Sequence, residues 1–393
     1  MQGLIGPLKE LAELEELCKN KKKDVGMIRV CGCVNSQKSH MMYALGDGCK
    51  YKVIACSSET KAKQIYEEYR FLDSNTYLYP AKDFLFYQAD IRSKELVKQR
   101  MEGIQAVLSG EPVTVVTSLD GFMDHLAPKE SIAEKVLKIQ NDSVLKLDEM
   151  AEKLSVIGYD REVQVEGPGQ FAVRGGILDI YPLTEELPVR IELWGDEVDS
   201  IRTFDVESQR SIENLMDIVI YPAVEFPQNG EKGVSFLDYF PPEDTILFLD
   251  EPVRLVERGQ NIEDEFMEAQ KKRLESGYDL EEEEAKIFPV TEILKKINCY
   301  SSIGFYALEM KCKGLEMRES YEIQAKSVNP YNNSFEMLTQ DLKRLKRNGY
   351  RVILLSGSRT RAKRLAEDLR DYNLSSYYSE DLDREVKPGE IMT

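Results

Sequence analysis

The sequence predicts an α/β protein in which a parallel, doubly wound sheet domain is interrupted by an antiparallel α+β insert and followed by a small α/β domain. Strand-like and helical segments alternate between residues 27 and 117, a pattern typical of parallel sheets with crossover helices. From about residue 130, strand runs follow one another with a single helix among them, which indicates hairpin connections. A chain of 393 residues is long enough for about two to four domains with separate cores.

The first part of the chain supplies the predicted sheet domain. We expect an amphipathic leading helix over residues 4–19, where leucines recur at helical spacing. Ser57 or Ser58 is a suitable N-cap for the helix after the second strand, because a serine hydroxyl accepts a bond from a first-turn amide. The predicted strands are 27–33, 51–56, 75–79 and 113–117, and the predicted helices are 39–45, 58–71 and 93–108.

The insert is predicted to cover residues 126–222. One helix is expected near residues 147–157, and most other segments alternate between apolar and polar residues, as half-buried strands do. Gly175 and Gly176 permit a sharp turn between two of these strands. The insert is therefore expected to be an antiparallel sheet with one helix.

Aliphatic residues alternate with polar or aromatic residues over 189–194. Period two places Arg190 and Trp194 on one face of this strand and the aliphatic residues on the other. Arginine and tryptophan dominate binding hot spots, and Trp194 is the only tryptophan of the chain. The face is therefore a candidate recognition surface, and an ordinary sheet whose tryptophan covers the edge of the core is the alternative.

After the insert, the pattern is expected to return to the first sheet, with strands over 245–249 and 302–306 and a long charged helix over 253–276. A linker at Asn329 and Pro330 then precedes a small α/β unit. Its predicted elements are a helix over 335–347, a strand over 351–355 and a basic helix over 358–370. The last residues are strand-like again, so we expect the natural polypeptide to continue beyond Thr393.

Composition limits the possible locations and cofactors. The sequence contains neither a run of eighteen apolar residues nor the charged and apolar pattern of a signal peptide, so we expect no membrane span and no secretion. Seven cysteines, an odd number in mostly apolar contexts, indicate free thiols in a reducing cytoplasm. With two histidines and no zinc-finger spacing at Cys31 and Cys33, we expect no metal site.

The net charge is −18. Binding to phosphate backbones requires clustered positive charge, and the chain has no long basic run. The sequence therefore predicts no electrostatic track for DNA.

A degenerate phosphate loop follows the first predicted strand. Gly32, Lys38 and Ser39 have the spacing of the pattern G-x-x-x-x-G-K-[ST], but Gln37 stands where the second glycine belongs. A side chain there hinders the backbone turn that points amides toward a phosphate. Nucleotide hydrolysis, weak nucleotide or phosphate binding, and a relic loop retained for packing are the three possibilities. The sequence favours the relic, and no catalytic residue is assigned.

Two acidic residues complete this degenerate nucleotide site. Asp250 and Glu251 follow the predicted strand 245–249. An acidic strand end of this kind positions Mg²⁺ and water in nucleotide-hydrolysing enzymes. The lysine and serine of the loop and the acidic strand end are therefore both present, but the loop lacks its second glycine.

A longer stretch carries a family resemblance. The run R-G-G-I-L-D-I-Y-P at 174–182, with P-V-R-I-E-L-W-G-D-E-V-D-S-I-R-T-F-D-V-E-S-Q-R at 188–210, closely resembles a segment shared by the excinuclease component UvrB and the bacterial transcription-repair coupling factors. The form D-S-I-R-T-F-D-x-x-S-Q-R is similar to the coupling factors. Residues 79–87, Arg100 and the strand 113–118 resemble the first domain of the same family.

The resemblance implies a domain plan. Residues 1–125 and 223–326 would form a degenerate, P-loop helicase-like α/β domain, residues 126–222 an inserted domain that binds the excinuclease component UvrA, and residues 327–393 part of a family-variable α/β domain. The groups expected to contact UvrA are Arg174, Arg190 and Trp194.

The resemblance also implies which partners and cofactors lie elsewhere. RNA polymerase and DNA would be bound only by parent domains beyond Thr393, and ATP and Mg²⁺ would belong to the ATP-driven translocase of the parent. This chain would then be an adaptor with no cofactor and no enzyme activity of its own.

Two other interpretations are possible. A working, nucleotide-dependent DNA-repair helicase of the UvrB type would need an intact phosphate loop, downstream helicase motifs and a long aromatic hairpin, and residues 81–92 are too few for that hairpin. A scaffold that binds nothing through the insert is the third interpretation. A pull-down with UvrA separates the adaptor from the scaffold.

Overall fold

A computed structural model describes residues 2–21, 25–82, 94–227, 230–276, 287–332, 334–381 and 383–393. It confirms the predicted fold class, with a large parallel sheet, a separate antiparallel sheet and a small parallel sheet. Residue contacts divide the chain into two compact units, and each is described by itself. The first comprises the described parts of Met1–Lys23, Cys31–Asp47 and Tyr321–Thr393, and the second those of Asp24–Val30 and Gly48–Ser320. Residues 83–92, which belong to the segments that carry the family resemblance and the short connection, lie outside the described residues.

The elements before the insert alternate as predicted. Ser58 is the N-cap of the helix after the second strand, and its hydroxyl accepts a bond from the backbone N–H of Lys61. The elements are α1 (Gln2–Lys9), α2 (Ala12–Asn20), β1 (Gly26–Cys31), α3 (Asn35–Gly46), β2 (Tyr51–Cys56), α4 (Glu59–Leu72), β3 (Thr76–Tyr79), α5 (Lys94–Leu108) and β4 (Val113–Ser118).

The insert contains two helices and eight strands. They are α6 (Lys129–Glu134), β5 (Leu137–Gln140), α7 (Leu147–Val156), β6 (Asp160–Arg161), β7 (Gln170–Arg174), β8 (Ile177–Tyr181), β9 (Val189–Trp194), β10 (Glu197–Phe204), β11 (Ser211–Leu215) and β12 (Asp217–Ile220). Six strands form one sheet in the order β11-β10-β9-β8-β7-β6, and β5 pairs with β12. All neighbours in the six-stranded sheet are antiparallel except β6 and β7.

One apolar core holds the insert together. Its fifteen buried residues all lie between Ile139 and Ile220, and they include residues of α7 and of the inner sheet face. Val189 and Ile191 belong to this core, and Leu193 packs against it. The alternation seen in the sequence is confirmed, because the three aliphatic residues of β9 share the inner face. The predicted boundaries of the insert stay a prediction.

After the insert the chain returns to the first sheet, as predicted. The elements are β13 (Thr245–Asp250), α8 (Pro252–Glu275), α9 (Val290–Ile297), β14 (Ser301–Tyr306) and β15 (Met317–Glu322). The seven-stranded sheet has the order β15-β1-β14-β13-β2-β4-β3. Strand β13 is fully buried and pairs in parallel with both β2 and β14.

The C-terminal elements form a small α/β core. They are α10 (Phe335–Arg347), β16 (Val352–Ile353), α11 (Arg359–Asp371), β17 (Ser376–Tyr377) and β18 (Ile391–Met392). The three strands are parallel, in the order β16-β18-β17. Ser334 and Ser358 cap the two helices by accepting bonds from first-turn amides.

Several predicted element bounds were wrong. The leading helix is broken into α1 and α2, because Leu11 has an extended backbone at the start of α2. The strand predicted over 27–33 ends at Cys31, since Gly32 turns the backbone with φ +82°. The helix predicted from residue 39 begins at Asn35. The strand predicted over 351–355 is limited to β16.

A buried cluster of charges lies beside the two points where the predicted insert leaves and rejoins the sheet domain. Arg100 on α5 is fully buried, and its guanidinium donates to Glu225 Oε1 and to Asp124 Oδ2, each at 2.7 Å. Lys82 Nζ lies 2.9 Å from Asp124 and 3.2 Å from Glu225. Burial alone would raise the pKa of Asp124, but Lys82 and Arg100 outweigh this and hold that pKa below its ordinary value. The two cations and two carboxylates compensate one another.

Candidate functional site

The candidate recognition face is the outer face of strands β7 to β10. Two tight hairpin turns meet at one end of it, Gly175-Gly176 between β7 and β8 and Gly195-Asp196 between β9 and β10. In each turn the first glycine has a positive φ, +60° and +65°, which suits the two-residue turns that match sheet twist. The backbone N–H of Leu193 donates to the carbonyl of Gly176 at 2.8 Å, so the two turns are neighbours.

Arg190 is held from several sides. Its Nε donates to Asp179 Oδ1 at 2.7 Å and its Nη2 to Asp179 Oδ2 at 2.9 Å, a bidentate pair across β8 and β9. Nη2 also donates to Gln209 Oε1 at 2.8 Å, and the guanidinium lies 4.4 Å from the ring centre of Phe204. The hydrogen bond to Asp179 raises the pKa of Arg190 above its ordinary value. The side chain is 14% exposed, so only its edge reaches the surface.

Arg174 lies at the end of β7 and is more accessible. Its Nη2 donates to Asp179 Oδ2 at 2.6 Å, and 45% of the side chain is exposed. The same carboxylate therefore binds both arginines. Asp179 itself is 1% exposed, and a buried carboxylate requires such partners because burial without compensation is costly.

Trp194 is 85% exposed. This exposure excludes the alternative in which the tryptophan covers the edge of the core. Trp194 pairs with Glu197 in the hairpin, and Glu197 forms a bridge with Val144, which is also exposed. The hairpin thus presents the large aromatic surface of Trp194. The exposed Val144 is a second apolar side chain and lies next to Glu197.

Further charges on this face are paired with each other. The guanidinium of Arg202 on β10 forms an ion pair with the carboxylate of Glu192 on β9. By count, residues 126–222 hold 20 acidic and 10 basic side chains, so accessible arginines are exceptions in this domain. Sequence reasoning missed Asp179, Gln209 and Phe204 as supports of the face. The signal for Asp179 was a single acidic residue inside the apolar run Ile177-Leu178-Asp179-Ile180.

The degenerate phosphate loop has a different shape from a phosphate cradle. Gly32 has φ +82°, and a Cβ at this position would lie 2.0 Å from the carbonyl oxygen of Ile323. The backbone N–H of Ile323 also donates to the carbonyl of Cys31 at 2.8 Å. Gly32 is therefore required for close packing of two backbone segments.

The residues after Gly32 enter a helix early. Helix α3 begins at Asn35, and the Gln37 N–H already donates to the Val34 carbonyl at 2.9 Å. Lys38 and Ser39 are buried. Burial raises the pKa of the Cys33 thiol to about 11, and the positive charge of Lys38 offsets this only in part. A phosphate loop needs an accessible lysine, and the Lys38 side chain is buried here.

The acidic pair lies at the carboxyl end of β13. Asp250 is buried, and the backbone of Glu251 has φ +55°. The Glu251 carboxylate accepts from the backbone N–H of Ala307 at 2.9 and 3.2 Å. Glu251 therefore has a structural contact within its own unit.

Neither a metal site nor a membrane span is found in the part of the chain that the structure describes. There, no group of three or more His, Cys, Asp or Glu side chains is arranged to hold a metal ion, and no helix is long and apolar enough to cross a membrane. Cys33, Cys49 and Cys56 are buried cysteines, whereas Cys299 is exposed.

The region that carries the face is similar to a known domain family. The UvrB interaction domain family matches residues 137–226, which include β7 to β10 and both hairpin turns. Residues 137–226 are thus similar to UvrB interaction domains. Within the matched residues, Arg174 and Trp194 are accessible, and Arg190 lies mostly beneath the surface.

The chain is also similar to transcription-repair coupling factors over most of its length. The Bacillus subtilis (strain 168) protein of that name is 27% identical over 362 residues, 77% of this chain and 30% of the relative. The Staphylococcus epidermidis (strain ATCC 35984) protein is 38% identical over 154 residues, 39% of this chain and 13% of the relative. The Haemophilus influenzae protein is 32% identical over 159 residues, 40% of this chain and 14% of the relative. The chain thus spans less than a third of the length of these relatives.

Proposed function

We propose that this chain is the N-terminal adaptor module of a transcription-repair coupling factor, and that residues 126–222 recruit UvrA for nucleotide excision repair at stalled RNA polymerase. The observation that carries the proposal is the exposed Trp194 and accessible Arg174 on one end of the UvrB interaction domain. The coupling-factor relatives support the parent's identity.

The chemistry of the face fits a protein partner. An exposed tryptophan offers a large apolar area with few rotatable bonds, and arginine offers a planar fork of donors for carboxylates and carbonyls. Both sit on paired strands closed by tight turns, so little ordering is needed on binding. Residues of this kind cost about 2 kcal/mol or more of binding energy when truncated at an interface.

The parent's other activities are assigned outside this chain. RNA polymerase and DNA would be bound by domains beyond Thr393, and ATP and Mg²⁺ would serve the parent's translocase. The net charge of −18 supports the assignment of DNA binding elsewhere, because an acidic excess opposes contact with phosphates. The proposed location is the cytoplasm.

The rival, a working helicase of the UvrB type, fits the loop less well. The early start of α3 at Asn35, the burial of Lys38 and the packing role of Gly32 support a relic loop without nucleotide turnover.

The adaptor proposal is tested by titrating purified UvrA against the chain in a biosensor assay. We expect saturable binding that Trp194→Ala weakens at least about thirtyfold, equivalent to about 2 kcal/mol. Val163→Ala is the matched control, because Val163 is 87% exposed in the same domain, and it should bind as the unmodified chain does. Absence of binding by the unmodified chain would contradict the proposal.

A parallel ATPase assay distinguishes the adaptor from the rival helicase of the UvrB type. We expect no ATP turnover above background, with or without DNA. Turnover that Lys38→Ala abolishes would establish the helicase interpretation.

A further inference from the structure

The buried carboxylate of Asp179 is the common partner of both arginines on the face. Oδ1 accepts from Arg190 Nε at 2.7 Å, and Oδ2 accepts from Arg190 Nη2 at 2.9 Å and from Arg174 Nη2 at 2.6 Å. The three residues come from three adjacent strands, β7, β8 and β9. Each strand therefore contributes one group to a single hydrogen-bonded unit.

The two arginines are restrained to different degrees. Arg190 is bidentate to Asp179, donates to Gln209 and stacks on Phe204, so it has little freedom to turn toward a partner. Arg174 is bound to Asp179 through Nη2, and its side chain is 45% exposed. A guanidinium carries five N–H donors, so a fork held at one nitrogen can still offer others to a partner.

The sharing of Asp179 leaves part of the Arg174 guanidinium open to a partner. One carboxylate compensates two guanidinium groups, and the nearby Arg202 is already paired with Glu192. Of the two arginines that share Asp179, Arg174 is bound through one nitrogen only and is the more exposed. A guanidinium fixed at one end and open at the other suits a carboxylate or a pair of carbonyl oxygens.

We propose that Asp179 is the positioning residue of this face. Arg190 fixes the Asp179 carboxylate, and this carboxylate holds the Arg174 guanidinium at the end of the face where Trp194 is exposed. There the guanidinium can bind an acidic or carbonyl-rich patch of UvrA. This inference rests on the proposed function. In it, Arg174 and Trp194 touch the partner, while Asp179 and most of Arg190 act through Arg174.

A double-mutant cycle for UvrA binding tests the proposal. Asp179→Asn keeps the shape of the side chain and removes its charge. We expect Arg174→Ala to weaken binding about thirtyfold and Asp179→Asn about tenfold, and the double variant to be no more than about twofold weaker than Arg174→Ala alone. In the double variant of Asp179→Asn and Trp194→Ala, the loss of affinity should equal the product of the two single losses. If the effects of Asp179→Asn and Arg174→Ala on binding multiply in the double variant, the positioning role is wrong.

Arg174→Lys serves as a second variant if Asp179→Asn folds poorly. Lysine keeps the charge but lacks the planar fork, so binding should weaken about tenfold if the positioned fork matters. Binding equal to that of the unmodified chain would overturn the proposal.

An NMR measurement on the free chain separates this inference from the proposed function. Guanidinium ¹⁵N signals report how freely each arginine rotates, and we expect Arg174 to be restrained in the unmodified chain and freely rotating in Asp179→Asn. Unchanged rotation would overturn the positioning role whether or not UvrA binds. If the unmodified chain does not bind UvrA but Arg174 rotates freely in Asp179→Asn, the proposed function is wrong. The positioning of Arg174 by Asp179 is then still supported.

Discussion

Replacing Arg100 by methionine should destabilise the second unit strongly. Arg100 is fully buried, and its guanidinium contacts Asp124 and Glu225 at 2.7 Å and the carbonyl of Pro80 at 2.8 Å. Methionine fills much of the same volume with no charge and no donor. The substitution therefore isolates the electrostatic role of the side chain from its packing role.

The expected loss in the free energy of unfolding follows from the charges that remain after the substitution. Two buried carboxylates, 6% and 5% exposed, would share the single ammonium of Lys82, whose side chain is 29% exposed. Removing one partner of a buried ion pair costs about 3–5 kcal/mol, because it leaves an uncompensated buried charge. The contact of the guanidinium with the Tyr79 ring, 4.3 Å from its centre, belongs to the same cluster and does not add a separate full contribution.

Urea unfolding followed by far-ultraviolet circular dichroism measures this change. Tryptophan fluorescence is unsuitable, because Trp194 is exposed and reports little of the core. Arg254→Met, on the exposed surface of α8, is the control and should change the free energy of unfolding by less than about 0.5 kcal/mol. Adding Asp124→Asn to Arg100→Met should restore at least about 1 kcal/mol, because one uncompensated charge is removed. A free energy within about 1 kcal/mol of the unmodified chain for Arg100→Met would refute the reasoning.

Three further predictions concern packing, pH and independent folding. Gly32→Ala should destabilise by at least about 2 kcal/mol more than Gly48→Ala in urea unfolding, because both positions have a positive φ but only the first has a carbonyl oxygen 2.0 Å from the new Cβ; equal losses would contradict the packing role. Because the folded pKa of Asp124 is lowered, its stabilising contribution is present above its unfolded pKa of about 3.9 and is lost as the pH falls below that value. Stability should therefore fall more steeply below about pH 4 in the unmodified chain than in Asp124→Asn, and parallel pH profiles would show that this carboxyl is not the titrating group. Residues 126–222 expressed alone should melt cooperatively, since their core lies within that range; a broad, non-cooperative melt would show that the boundaries are misplaced.

The order and type of most elements followed from the sequence, because their signals are local. Alternation over 189–194 correctly placed the aliphatic residues of β9 in the core, and Ser58 correctly marked the start of α4. The bounds near Gly32 were wrong because they depend on a distant carbonyl, that of Ile323. Spacing along the chain contains no information about such a contact.

The candidate face was predictable in part for the same reason. Period two brought Arg190 and Trp194 to one face, and the exposure of Trp194 agrees with that arrangement. The different burial of Arg174 and Arg190 was not predictable, since it depends on Asp179 and on Gln209, whose backbone has φ +58° in the loop after β10. The assignment of these residues to UvrA binding stays a prediction.

The central claim is that Trp194 enters the contact with UvrA. Because the chain contains a single tryptophan, incorporation of 5-fluorotryptophan gives one ¹⁹F resonance, and the difference in its chemical shift between H₂O and D₂O reports exposure to solvent. The account predicts a large difference in the free chain, where Trp194 is 85% exposed, and a much smaller one at saturating UvrA. A bound complex in which the difference is unchanged would show that UvrA uses another face.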